Sequence, residues 1–232
     1  MEKAYPQSEK NWVFRLLILV AGFYGGYTMV LRGGVFSNAQ TGNVALLAIA
    51  LGSGNWMTAL YYLVPLGGYL LGTIVSEVLP APLGKTKLLR WSTLLILFEI
   101  VAVIVMGFIP VTAPHQICQI LINFICAMQF NTFRQAEGIP MSTIFCSNLV
   151  RQMGIGLAGL LDPRKDKKAQ LHTAWLFTAM VLCFAAGALG ATVSCAYLGT
   201  YAIWLTVIPL AYLFASLLRA DIAAGRDLVY GK

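Results

Sequence analysis

Only one carboxyl in this chain stands deep in an apolar run. Glu99 lies inside STLLILFEIVAVIVMGF, and the chain holds nine acidic residues in all. An ionisable side chain at membrane depth costs about 2.5–3.5 kcal/mol on insertion scales, so it marks function by default. Such a carboxyl exchanges a proton with a coupling ion pathway, or it is a hydrogen-bonded structural group. Arg151, in CSNLVRQMGIGL, offers an anion-binding charge, a partner for Glu99, or a side chain that snorkels to the headgroups. Asn123 and Gln129 sit deep in a third apolar run. With Gln116 and Gln119, at i, i+3 and i+7, Asn123 forms one helical face. These amides line a pathway or bond neighbouring helices. Nucleophilic and metal chemistry find little support. The five cysteines form no CxxC pair, and His115 and His172 lie at opposite span ends, so no cofactor and no metal are expected.

The stretch GGVFSNAQTGNVALLAIALG, Gly33 to Gly52, carries the densest polar cluster. Asn38, Thr41, Gly42 and Asn43 stand before an apolar run of about ten residues, too short to span a bilayer. Irregular polar backbone at that depth is tolerated only where it is buried in protein or lines a cavity.

The elements that must position these residues are membrane helices. The chain has 232 residues, 59% hydrophobic and 11% charged, against roughly 25% charged in soluble domains. It reads as one all-α integral-membrane domain, residues 1–232. The net charge of +7 falls in clusters beside apolar runs, which is a topogenic pattern and argues against nucleic acid. Six runs suffice for spans: Val13–Leu31, Thr58–Leu79, Ser92–Ile109, Gln116–Phe133, Thr173–Cys195 and Thr200–Leu218. The first is expected to be a retained helix and not a cleaved signal. The basic N-terminus, Lys85–Arg90, Arg164–Lys168 and the C-terminus should share the cytoplasmic side of a bacterial inner membrane. GSGNW, PVTAP and AYLGT carry no Lys or Arg, and Arg32 alone falls on the outer side. Parity then requires the Gly33–Gly52 stretch and Met141–Leu161 to be re-entrant.

Sliding the chain by 105 residues lays Asn43 on Asn148 and Ser37 on Ser142. The two units, 13–109 and 116–218, would have opposite directions: a 3+3 inverted repeat of the kind transporters use.

The motif Phe36, Thr41, Gly42, Asn43 resembles the hallmark of the YoaK family of bacterial inner-membrane proteins, F-x-x-x-x-TGN after the first span. The family's later GxQN pattern reads AMQFN here, with Gln129 kept and Ala127 and Phe130 substituted. Its second TGN-like element reads CSN and keeps Asn148. The resemblance implies a multi-pass inner-membrane protein and leaves the activity open.

The leading expectation is a transporter or permease for a small solute, passive or ion-coupled because no ATP-binding loop is present. Its polar site would lie between the two re-entrant segments, with lipid as the surrounding partner. The alternatives are a channel or a membrane scaffold. An enzyme is not expected, because clustered acids and a Ser–His or Cys–His pair are lacking.

Overall fold

A computed structural model describes residues 5–83 and 89–230 of the chain. Lys3, Lys85, Lys87 and Lys232 of the basic clusters lie outside the described residues, as does the side chain of Arg226. The helices are α1 (Asn11–Leu31), α2 (Gln40–Gly52), α3 (Trp56–Val78), the single turn α4 (Pro80–Leu83), α5 (Trp91–Phe108), α6 (His115–Thr132), α7 (Cys146–Leu161), α8 (Lys167–Leu198) and α9 (Val207–Tyr230). Two strands, β1 (Gln135–Ala136) and β2 (Ile139–Pro140), pair antiparallel between α6 and α7.

Local chemistry sets several boundaries. Asn55 caps α3 by accepting from the Thr58 amide at 3.2 Å, and Asp166 caps α8 through the Lys168 amide at 2.9 Å. α8 stops at Gly199, whose φ of 55° closes the helix, and a 3-10 stretch, Gly199–Thr206, turns the chain back into α9.

Four helical stretches among the described residues are long and apolar enough to cross a membrane: α1, α3, α5, and the 58 residues Lys167–Ala224 that contain the turn at Gly199. α6 has the length but not the apolarity, since Gln116, Gln119, Asn123, Gln129 and Asn131 interrupt it. Half of its residues are buried in protein, Gln119, Asn123 and Gln129 among them, which is why it tolerates those three.

Contacts along the helices give their directions. Call the end where α1 begins the near end. Phe14 meets Phe133 there, Trp12 meets Tyr212, and Trp91 Nε1 donates to Thr132 Oγ1. At the far end Arg32 reaches the Ile109 carbonyl, and Trp204 Nε1 donates to the Ile104 carbonyl. Thus α1, α5 and α8 run from near to far, and α3, α6 and α9 return. α1 lies parallel to α8, with Gly22 against Phe184 and Gly26 against Ala188. α3 lies parallel to α6, with Gly68 against Ile120 and Gly72 against Phe124. In both pairs the missing Cβ lets backbone touch backbone, the usual basis of tight packing where lipid supplies no hydrophobic drive.

α2 and α7 do not traverse the bundle. After α1 ends, the chain turns inward until Asn38 stands against Ala21 and Gly25, the middle of α1. α2 then returns to the far end, where α3 starts. α7 runs antiparallel to α8, with Gly156 against Ala174 and Gly159 against Gln170, and ends at the near end. Ten residues, about 15 Å of helix, separate its half-buried start at Cys146 from Gly156.

Candidate functional site

The inward turn after α1 uses Gly33 and Gly34, both at positive φ (80° and 68°). Asn43 then holds the turn closed. Its Nδ2 donates to the Phe36 carbonyl at 2.8 Å and to Gln40 Oε1 at 3.0 Å, and its Oδ1 accepts from the Phe36 amide at 3.2 Å. One buried amide therefore meets both polar groups of one residue, as a strand neighbour would. Gly42 lies under the Phe36 ring, where an added Cβ would stand 2.9 Å from the ring. This is the physical content of the spacing between Phe36 and the Thr-Gly-Asn triplet. Asn38 donates to the Ala21 carbonyl at 3.0 Å, and Thr41 is exposed.

From this turn a hydrogen-bonded chain runs to the far end. Gln40 Nε2 donates to Asn123 Oδ1 at 2.6 Å, and Asn123 Nδ2 donates to the Gln119 carbonyl at 2.8 Å. Gln119 Nε2 donates to the Arg32 carbonyl at 2.7 Å and also reaches the Tyr61 hydroxyl. Arg32, fully buried, donates to the Tyr27 hydroxyl and to the carbonyls of Ile109 and Pro110. A guanidinium on the carbonyls just past the end of α5 complements the negative end of that helix. Arg32, Gln40 and Tyr61 escaped sequence reasoning. The one usable signal was Arg32 itself, a lone cation among connections that carry no other.

At the bundle's centre the Tyr24 hydroxyl donates to Glu99 Oε1 at 2.9 Å, with both residues fully buried. Glu99 Oε2 has no partner among the described residues, nor do Ser37 Oγ, Thr143 Oγ1 and both amide atoms of Gln129. All four side chains are fully buried. Buried polar atoms in native proteins are almost always paired, so each of these atoms is unusual among the described residues.

The second non-traversing segment is organised differently. Asn148 is half-buried, and its Oδ1 makes only a 3.4 Å contact with exposed Arg151. No hydrogen bond among the described residues joins Asn148 to Asn43 or Arg151 to Glu99. Asn148 instead lines a chamber of about 370 Å³ at the near end, walled by Phe130, Met141 and Phe145 and bordered by Arg134. Two further cavities, of about 350 and 290 Å³, share Arg134 and Thr132. Arg134 Nη2 contacts Glu77 Oε2 at 2.9 Å, clasping the ends of α3 and α6. Among the described residues no group of three or more His, Cys, Asp or Glu stands together.

No solved structure matches the chain. Transmembrane protein YoaK of Bacillus subtilis (strain 168) is 22% identical over 219 residues, which is 92% of this chain and 95% of that protein. The apolar helices of the bundle agree with that relative's description as a transmembrane protein. The profile of the family described as "Protein of unknown function (DUF1275)" matches residues 13–216, and the chain belongs to that family.

Proposed function

We propose that the protein is a transporter or permease for a small solute, with six membrane crossings arranged as a 3+3 inverted repeat. Both termini face the cytoplasm of a bacterial cell, and α2 and α7 are re-entrant from opposite faces. One observation carries the reading. α2 and α7 each enter and leave at one end of the bundle, at opposite ends. Each then packs on a helix whose partner belongs to the other half: α3 lies on α6, and α8 on α1. Exchange of the halves preserves every one of these pairings. Non-traversing helices flanking a polar centre are how many secondary transporters build a midplane site. Glu99 there keeps one oxygen free, and Ser37 and Gln129 are further fully buried side chains whose polar atoms have no partner among the described residues. Glu99 is the residue for a coupling ion or proton. Asn38, Thr41, Gly42 and Asn43 shape one approach to the centre. Asn123 and Gln129 line its flank, and Asn148 and Arg151 stand on the other approach. No catalysis is part of this reading.

The test is flux. Purified protein in proteoliposomes should take up a solute with saturation, and counterflow of preloaded solute should accelerate entry. Uptake that rises linearly with concentration without limit would point to a channel. Absence of flux for every solute that binds the purified protein would remove the transport reading.

A further inference from the structure

We propose that the chamber between the end of α6 and the start of α7 binds a small amphipathic organic anion, a carboxylate on an apolar body, with Arg134 as its charge partner. The transport reading supplies what such binding is for, and the chamber's chemistry supplies the ligand class.

The walls decide the body of the ligand. Phe130 and Phe145 pack edge to face with ring centroids 5.0 Å apart, and Met141 completes an apolar surface. Such walls suit an alkyl or aryl group. A volume of about 370 Å³ equals about a dozen waters, at the low end of ligand pockets.

The polar rim decides the head. Ser142 Oγ already accepts from the Ile144 and Phe145 amides, so its hydroxyl proton is what remains to offer. Asn148 Oδ1 takes the contact from Arg151, which leaves its Nδ2 donors free of described partners. Arg134 uses Nε on the Asn131 carbonyl and Nη2 on Asn131 Oδ1 and Glu77 Oε2, while Nη1 has no described partner. Three donor groups are available at the rim, and among the described residues no carboxylate lines the chamber. The first turn of α7, a 16-residue helix, adds its positive end from Asn148. Three free donors, with Glu77 on Arg134 as their carboxylate rival, suit an anion. A single guanidinium suits one negative charge, in the geometry of a carboxylate.

The ion pair with Glu77 makes the proposal sharp. A carboxylate that engages Arg134 must compete with Glu77 Oε2. Neutralising the rival and neutralising the cation therefore have opposite effects. A purely structural role for the pair would make both substitutions act in the same direction.

The experiment uses the full chain, purified in detergent. Thermal unfolding is followed against acetate, hexanoate and benzoate, with uncharged benzamide as the control. Hexanoate and benzoate should raise the Tm saturably, acetate much less, and benzamide not at all. Glu77→Gln should tighten benzoate binding. Arg134→Gln should weaken it about tenfold or more, as loss of a charge-assisted bond does. Arg134→Lys should bind with intermediate strength and serves where the glutamine variant does not fold. The proposal is overturned if no carboxylate stabilises the wild-type protein or if benzamide binds as well as benzoate. It is equally overturned if Glu77→Gln and Arg134 variants shift affinity in the same direction. Proteoliposome uptake separates the two readings. Carboxylate binding without flux sinks transport alone, and saturable uptake of another solute without carboxylate binding sinks the chamber alone.

Discussion

The Tyr24 hydroxyl and the Glu99 carboxyl are joined at 2.9 Å, which ties the middle of α1 to the middle of α5. Tyr24 is the one hydrogen-bond donor that Glu99 receives among the described residues. Tyr24→Phe leaves both carboxyl oxygens unpaired at full burial. Leaving a buried polar group unsatisfied costs about 1–3 kcal/mol, more for a charged one. A drop in Tm of the purified protein is expected. Glu99→Gln keeps the shape but cannot exchange a proton. It should fold normally and lose coupling of uptake to an imposed pH gradient. Coupled uptake that persists in Glu99→Gln would leave the carboxyl a structural group.

The two asparagines matched by the 105-residue shift should now separate by phenotype. Asn43 makes three hydrogen bonds within the turn, and Asn148 makes one weak contact. Asn43→Leu therefore destabilises the fold by roughly 1–3 kcal/mol, because the Phe36 backbone is left unpaired. Asn148→Leu should leave the unfolding free energy within about 1 kcal/mol of wild type, as half-exposed substitutions usually do. Its effect should fall on ligand affinity. Equal loss of stability in both would contradict this assignment.

Glycine substitutions test the helix pairs. A Cβ at Gly22 would collide with the Phe184 carbonyl, whereas Gly67 faces open space. Gly22→Val forces α1 and α8 apart and should cost about 1–3 kcal/mol or prevent folding. Gly67→Ala should be neutral or slightly stabilising, since alanine suits a helix better than glycine. Thermal melts of the two variants decide the matter.

Topology is open to labelling in a background without the five native cysteines. Arg90→Cys and Lys167→Cys flank the near end, while Asn55→Cys and Thr112→Cys lie at the far end. All four positions are exposed. A membrane-impermeant maleimide added to whole cells should modify positions 55 and 112 and spare 90 and 167. Labelling of 90 but not 167 would break the even number of crossings between them.

Helix positions were legible because runs of Leu, Ile, Val and Phe bounded by Pro, Gly or charge have one physical outcome in lipid. The run Ser92–Ile109 reads as a helix, and α5 covers Trp91–Phe108. The polar turn was visible too, since Gly33, Gly34 and Asn43 cannot sit in a spanning helix without partners. What Asn43 does there was not legible. Its bonds go to the Phe36 backbone, and nothing in the letters tells a clamp from a ligand-binding amide. Long-range pairs were hidden for another reason. Arg32 meets Ile109, 77 positions away, and Gln40 meets Asn123, 83 positions away. Such contacts depend on which helices become neighbours, and composition does not encode that. The run Thr200–Leu218 reads as one span, yet its first residues belong to the 3-10 stretch Gly199–Thr206.

The pairing of α1 with α8 has a consequence for how the chain is made. α1 is the most enclosed of the four long apolar stretches, yet it is the first to leave the ribosome. Its partner is complete only when Leu198 has been added. At about 5–20 residues per second, α1 waits on the order of ten seconds or more. Throughout that wait the glycine-lined face around Gly22 and Gly26 is open to lipid or to whatever chaperone attends the insertion machinery. Assembly of the bundle is therefore set by its late half, and a chain truncated before α8 leaves its best-buried helix without a partner.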